Sequence, residues 1–449
     1  ACAPGAADRT ALRAEGLSAQ DCRRAARLEG MRRQDPDLWP GMSKAERARA
    51  LAAAAGNRTI DDTVALWTAL ADLLDGPVDR NGRVRIAPPD RRTGLSAVVV
   101  SDLARLHPAF RGTPVLHLDA TLRPEIAGAL LPALEFCEIP ADAPHMRLTL
   151  VTGGFGKTAL CDEARAAPEE RARRAANLRA CVEHVRWQAR RVAPGRTLVV
   201  TYKDCEAAFA GIPGVEVAHF NAIAGLDAWR DVALLMVIGR PLPRDSDLLI
   251  PAAALFGKDV EGSYRAEPAS VRMRDGTARA ARVLRHEDRH AEILRAAICD
   301  DELIQAIGRG RGVNRSAADP LEVQVLADVA LPLVHDRVTS WELEALDLIQ
   351  QMLLAGIAVD SPADAAALHP QLLANEKQAQ KALERMGFKR QSPMSISYRE
   401  MSLKCARYRR PGRGRGWQTA CWLDGDADTV RSELERVLGP LAGWEPGRD

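Results

Sequence analysis

Oxyanion chemistry concentrates in one window, Glu302 to Arg315, which reads ELIQAIGRGRGVNR. Arg309, Arg311 and Arg315 stand among glycines there. Glycine leaves the backbone free to approach a ligand, and the planar guanidinium fork matches phosphate oxygens bidentately. A phosphate chain is therefore the natural ligand. The apolar spacing of Leu303, Ile304 and Ile307 opens the window on a helix. Taken alone, the same cluster also suits a solvated basic helix end.

Three other stretches carry residue types that do chemistry. HEDRH, His286 to His290, matches the zinc-hydrolase pattern of two histidines one helical turn apart with a glutamate as base. Arg282, Arg285 and Arg289 crowd it, and a cationic collar opposes a dication. VTGGFGKTAL, Val151 to Leu160, ends in Gly-Lys-Thr as a phosphate loop does, but Val151 stands where the pattern needs its first glycine. Asp119 and Thr121 follow a short apolar run and suit either a helix cap or a ligand turn.

These groups need a frame. Short apolar runs at 97–100, 115–118, 148–151, 198–200, 215–218, 234–238 and 323–326 alternate in places with helical stretches, the clearest over 169–192. Fully apolar runs between helices predict buried parallel strands, hence an α/β fold with a mostly parallel sheet. In such sheets ligands gather at the carboxyl ends of strands, where Asp119 to Thr121, Thr201 to Lys203 and Gly225 to Asp227 fall.

The order of these stretches resembles superfamily 2 nucleic-acid helicases over about residues 95 to 335. Gln305, Gly308 and Arg309 look like that family's last motif. VLHLDAT (Val115 to Thr121), TLVVTYK (Thr197 to Lys203), and HFNAIAGLDAW with LLMVIGRPLP are similar to earlier ones. The QAIGR-x-R ending is closest to the helicase half of phage and mobile-element primase/helicase proteins. The resemblance implies RecA-like lobes, the first ending over 95–145 and the second spanning 146–335.

It further implies ATP and Mg2+ as cofactors, with Gln305 and Arg309 facing the nucleotide. The family's second arginine would fall at Gly312, so Arg311 or Arg315 serves instead. Gly308, Gly225, Asp227, Asp119 and Thr121 would border the nucleotide cleft. Thr201, Lys203 and His219 would meet a nucleic-acid strand. The family's phosphate loop and acidic metal-binding strand belong upstream of VLHLDAT, and residues 1 to 95 read as neither. The chain is thus expected to be the carboxyl-terminal part of a longer primase/helicase, completed by a missing amino-terminal portion. DNA is the expected partner because the similar proteins replicate mobile elements; the residues do not themselves choose DNA over RNA. A non-catalytic helicase-like scaffold is the alternative, and a zinc hydrolase through HEDRH a third.

Residues 1–94 read as a helical segment, with Ser43 as an N-cap and Glu46 three places on. Residues 336–449 read as an accessory α+β domain: helices over 341–357, 362–373 and 376–388, then a hairpin, then a helix over 429–438. That order is compatible with a winged helix. Lys and Arg crowd 377–415, and Arg409, Arg410, Arg413, Arg415 and Trp417 suit phosphates and unpaired bases.

Net charge of +2 confines any nucleic-acid footprint to local patches. The nine cysteines include no CxxC pair, which argues against a zinc ribbon and a disulfide framework and for a reducing cytoplasm. No apolar run approaches the roughly 20 residues of a membrane span.

Overall fold

The computed structural model describes residues 4–90, 93–103, 112–386, 397–412 and 416–447. Two units divide the chain, each with its own core. One comprises Ala1–Ile139, Leu242–Glu267 and Leu284–Asp301; the other Pro140–Pro241, Pro268–Val283 and Glu302–Asp449. Among the described residues no helix is long and apolar enough to cross a membrane.

The chain opens with β1 (Gly5–Ala6) and four helices, α1 (Arg9–Ala14), α2 (Ala19–Gly30), α3 (Lys44–Ala53) and α4 (Asn57–Asp75), as the helical reading expects. Ser43 and Glu46 form a reciprocal capping box on α3, each accepting a backbone N–H that the helix start leaves open. Helices α2 and α4 bury Cys22, Leu70, Ala71 and Leu74 between them. Strand β2 (Val84–Ile86) pairs antiparallel with β1 and with β3 (Val98–Val100).

Two expected parallel strands are corrected here. Val98–Val100 joins this small antiparallel sheet, and Val115–Leu118 is in no strand, with Leu116 83% and Leu118 84% exposed. An apolar run becomes a strand only where a neighbour takes its backbone hydrogen bonds. Helix α5 (Pro124–Leu130) follows, and Arg123 just before it holds Asp301 through two bonds of 2.6 Å.

Next come β4 (Met146–Thr152), α6 (Lys157–Leu160), α7 (Pro168–Arg191), β5 (Thr197–Thr201), α8 (Lys203–Phe209), β6 (Val215–His219) and β7 (Leu234–Ile238). Helix α9 (Asp245–Phe256), the hairpin strands β8 (Tyr264–Arg272) and β9 (Ala278–His286), and α10 (Arg289–Gly308) precede β10 (Leu321–Leu326) and β11 (Arg337–Ser340). Six of these strands form one all-parallel sheet in the order β11-β4-β10-β7-β5-β6. Leu148, Leu150, Val199, Leu235, Val237 and Val325 are wholly buried in it. Strands covered on both faces have no polar face to present, so their sequences are unbroken apolar runs. This α/β sheet flanked by helices is compatible with a RecA-like lobe.

The carboxyl-terminal region is richer in strands than the sequence suggests. The single helix expected over 341–357 is two, α11 (Trp341–Glu344) and α12 (Leu348–Leu354), the second started by an Asp347–Gln350 capping box. Then come β12 (Ala358–Val359), α13 (Pro362–Leu368), α14 (Glu376–Arg385), the short pair β13 (Ser397–Tyr398) and β14 (Met401–Ser402), β15 (Lys404–Arg409), β16 (Gln418–Trp422), α15 (Ala427–Leu438) and β17 (Gly443–Pro446). The expected hairpin β15–β16 sits inside a four-stranded antiparallel sheet, β12-β16-β15-β17. Cys405 and Cys421 face each other across it and form a disulfide with Cα atoms 4.2 Å apart. Cysteine spacing argues against a disulfide framework, and this one bond corrects that reading: strand register brings the two residues together.

Burial holds His184, His335 and His369 below the ordinary imidazole range. Folded protein keeps them neutral while the unfolded chain protonates near pH 6.5, so their contribution is complete above that pH and fades below it. The urea midpoint of the second unit should fall between pH 7.5 and 5.5. A midpoint unchanged across that window would remove the histidines from the ledger.

Candidate functional site

Helix α10 ends at Gly308, and the chain turns beneath the sheet. A Cβ on Gly310 would lie 2.6 Å from Leu321 Cδ2, and one on Gly312 would lie 2.7 Å from Met146 Sδ. Leu321 and Met146 are the first residues of β10 and β4. The loop thus comes close to both side chains where the two glycines carry no Cβ, and it lies at the amino edge of the sheet. The general preference for carboxyl ends does not locate it.

The three arginines part company here. Arg315 is 7% exposed, and its guanidinium donates to the carbonyls of Gly310 at 2.9 Å and Val232 at 2.7 Å and to Asp319 at 3.1 Å. All its forks are spent on the fold, so Arg315 is a structural tie, and of the two arginines left open by the sequence Arg311 is the one still available to a ligand. Arg311 adopts a left-handed backbone at φ 52° and pairs with Asp227 at 2.7 and 2.8 Å. Arg309 donates from Nη1 to the Leu226 carbonyl at 3.1 Å, while its Nε is buried without a partner.

Both guanidiniums therefore reach the same turn, 225–227. Gly225 starts that turn at φ 76°, a conformation that a side chain would strain. Arg311 and Asp227 keep 43% and 50% of their side chains in solvent, and an exposed pair of this kind is worth at most about 1 kcal/mol. An arriving oxyanion can replace Asp227 at little cost. Gln305 lies partly buried near the end of α10, and Glu302 at its other side accepts the Asn221 N–H at 2.5 Å. Asn221 is itself left-handed, at φ 65°, so the loop after β6 is pinned at two points. The sequence hinted at neither the Asp227 pairing nor the Glu302 pin.

The expected strand contacts divide as well. Thr201 is wholly buried and gives its hydroxyl to the Ile238 carbonyl at 3.1 Å, so its side chain is removed from the set. Lys203 is exposed at the start of α8, and His219 is partly buried with Nδ1 3.0 Å from the Phe220 carbonyl. Arg410 is also structural: it donates to Asp364 at 2.7 Å, and Asp364, 2% exposed, accepts the Tyr408 hydroxyl at 2.7 Å. Arg409 remains exposed and sits 5.5 Å from the Trp417 ring, and Arg407 lies 5.1 Å from the same ring. Strand alternation could have found Arg407, two places before Arg409. Arg413 and Arg415 lie outside the described residues.

The remaining motifs are less suited to a ligand. In GGFGKT, Phe155 is buried and its carbonyl accepts the Tyr202 hydroxyl at 3.2 Å; α6 runs only four residues. In HEDRH, His286 closes β9 while His290 begins α10, so the two rings are not successive positions on one helix face. Glu287 is occupied by the Ser263 N–H and by Arg265. The zinc reading falls on that geometry. Among the described residues no group of three or more His, Cys, Asp or Glu side chains is placed to hold a metal ion. In the first unit, Asp119 accepts the Thr121 N–H at 2.8 Å and its hydroxyl at 3.1 Å. It closes its own turn and does not cap α5, whose N-cap is Arg123.

A cavity of about 460 Å3 opens against α7 and β10, lined by Arg191, Glu322, Arg337, Glu344, Gln350 and Glu400. Arg147, Arg191, Arg337 and Arg399 in its lining are matched by Glu322, Asp336, Glu344 and Glu400, so it presents no net sign to a phosphate.

No family model, no curated protein and no solved structure matches this chain.

Gly310→Ala should cost about 1–3 kcal/mol of stability through overpacking against Leu321, whereas Arg311→Ala should cost under about 1 kcal/mol. Arg410→Ala should cost about 3 kcal/mol by stranding the buried Asp364. Urea unfolding of the three variants checks the ranking, and an Arg311 variant as unstable as the other two would make its ion pair structural.

Proposed function

We propose that the second unit is the arginine-bearing, RecA-like lobe of an ATP-dependent nucleic-acid motor, a helicase or translocase of a replication primase/helicase working in the cytoplasm. The observation that carries this reading is the convergence of Arg309 and Arg311 on one exposed turn at 225–227. A buried Nε lacking a partner and a weakly held guanidinium fit the terminal oxyanions of a triphosphate. The helicase resemblance implies a phosphate cradle and Mg2+ ligands, and neither is assigned to residues described here. Bound ATP with Mg2+ supplies the phosphoryl group and its first charge neutralisation.

This chain's own part is electrostatic. Arg309 and Arg311 place positive charge where the transferring group becomes more anionic, and Asp227 yields Arg311 as the phosphate arrives. Gln305 and Gly308 sit where the helix end would feel that exchange. The Gly225 turn and the Glu302–Asn221 bond would carry it into the loop after β6. Lys203 and His219 would meet the strand backbone, and the Arg407–Trp417–Arg409 face would stack and neutralise a DNA strand. The Asp119–Thr121 turn keeps the coupling role that the helicase resemblance implies for it.

In the full-length parent, single-stranded DNA should stimulate ATP hydrolysis, and Arg309→Ala should lower turnover on the order of 10³-fold. Trp417→Ala should weaken DNA binding while leaving unstimulated hydrolysis intact. Hydrolysis absent from every form, with salt-dependent DNA binding that survives Arg309→Ala, would replace the motor by a non-catalytic scaffold.

A further inference from the structure

A pair of thiols lies outside everything assigned above. Cys161 closes α6 and Cys205 sits in the first turn of α8, 44 residues apart in sequence, and their sulfurs are 3.4 Å apart. A disulfide bond of about 2.05 Å needs a further approach of only about 1.4 Å. Both side chains are buried, Cys161 at 5% and Cys205 at 1% exposure.

The two sulfurs are not equivalent. The hydrogen-bonding contact with Cys205 holds the Cys161 thiol below its ordinary range; burial and the Asp204 carboxylate oppose it, and the charges of Lys157 and Arg174 assist it. Arg174 also donates from Nη1 to the Cys161 carbonyl at 3.0 Å, which fixes that residue. The same sulfur–sulfur contact, with burial, pushes Cys205 up. Cys181, the next thiol on α7, is pushed up to about 12 by burial alone and is the poorer nucleophile. The 3.4 Å contact lets one sulfur attack and the other resolve, and the first role is assigned to Cys161, the partner shifted downward.

We propose that Cys161 and Cys205 are a reversible redox modification site that takes a small peroxide as its oxidant and joins the segment after β4 to the helix after β5. In the first step the Cys161 thiolate attacks one peroxide oxygen. The O–O bond breaks, hydroxide leaves and takes a proton to become water, and Cys161 becomes a sulfenic acid. In the second step the Cys205 sulfur attacks the Cys161 sulfur, the S–O bond breaks, and the Cys205 proton leaves with the hydroxyl as a second water. Two protein thiols are oxidised by two electrons and one hydrogen peroxide is reduced to two waters. The bond would fasten the GGFGKT segment to α8 within four residues of Lys157 and two of Lys203, at the carboxyl edge of the sheet. It holds whether or not the chain belongs to a motor.

The test is a peptide map. The whole chain is treated with hydrogen peroxide, quenched, digested without reductant and weighed by mass spectrometry. The expected result is a Cys161–Cys205 linked peptide, lighter by two hydrogens than its parts and released by dithiothreitol. Cys205→Ser should instead accumulate a Cys161 sulfenic acid that dimedone traps. Exposed Cys137 is the internal reference. Free thiols at both positions once Cys137 is oxidised would overturn the proposal, and so would a Cys161–Cys181 link. The Cys405–Cys421 peptide has a different mass and serves as a digestion control.

Discussion

Two absent Cβ atoms set the position of the arginines. Gly310 and Gly312 let the loop press against Leu321 and Met146 at the start of two adjacent parallel strands. Arg315 then locks the loop from within through carbonyls on both sides. With the loop seated, Arg311 is left in a strained left-handed backbone, and left-handed residues other than glycine recur at functional sites. Stability and chemistry are thereby shared out among three similar residues. The buried arginine holds the loop, and the two others face solvent at a single turn.

That division leaves a chain with balanced charge two guanidiniums that the fold does not use up. Most arginines described here have carboxylate or carbonyl partners, as Arg123, Arg191, Arg240 and Arg410 do. Electrostatic attraction therefore comes from a few side chains whose pairing is weak or incomplete. Arg309, Arg311, Arg407 and Arg409 are such groups. On the carboxyl-terminal sheet, Arg407 and Arg409 both lie within cation–π distance of the Trp417 ring.

The parallel sheet was legible because strands covered on both faces must be apolar throughout, and five of the seven apolar runs lie in it. The runs at 97–100 and 115–118 look the same in sequence, but an apolar run does not state whether a neighbouring strand exists. Burial is equally invisible: nothing in GRGRGVNR separates the structural Arg315 from the available Arg311. HEDRH failed for the opposite reason. Its spacing presumes one continuous helix, and the chain changes from strand to helix within it. The Cys405–Cys421 bond depends on strand register, which sequence distance does not encode, while Ser43 and Glu46 were readable because a capping box is wholly local.

The proposed guanidinium recognition of a transferring phosphoryl group is tested most directly by release of ADP–aluminium fluoride, which mimics that group, from the protein bound to single-stranded DNA. If Arg311 faces the group, Arg311→Ala releases the mimic faster, on the order of 10²-fold, while release of ADP alone is unchanged. Equal release of the mimic from both proteins would contradict it, and the 225–227 turn would then be a surface feature without a nucleotide.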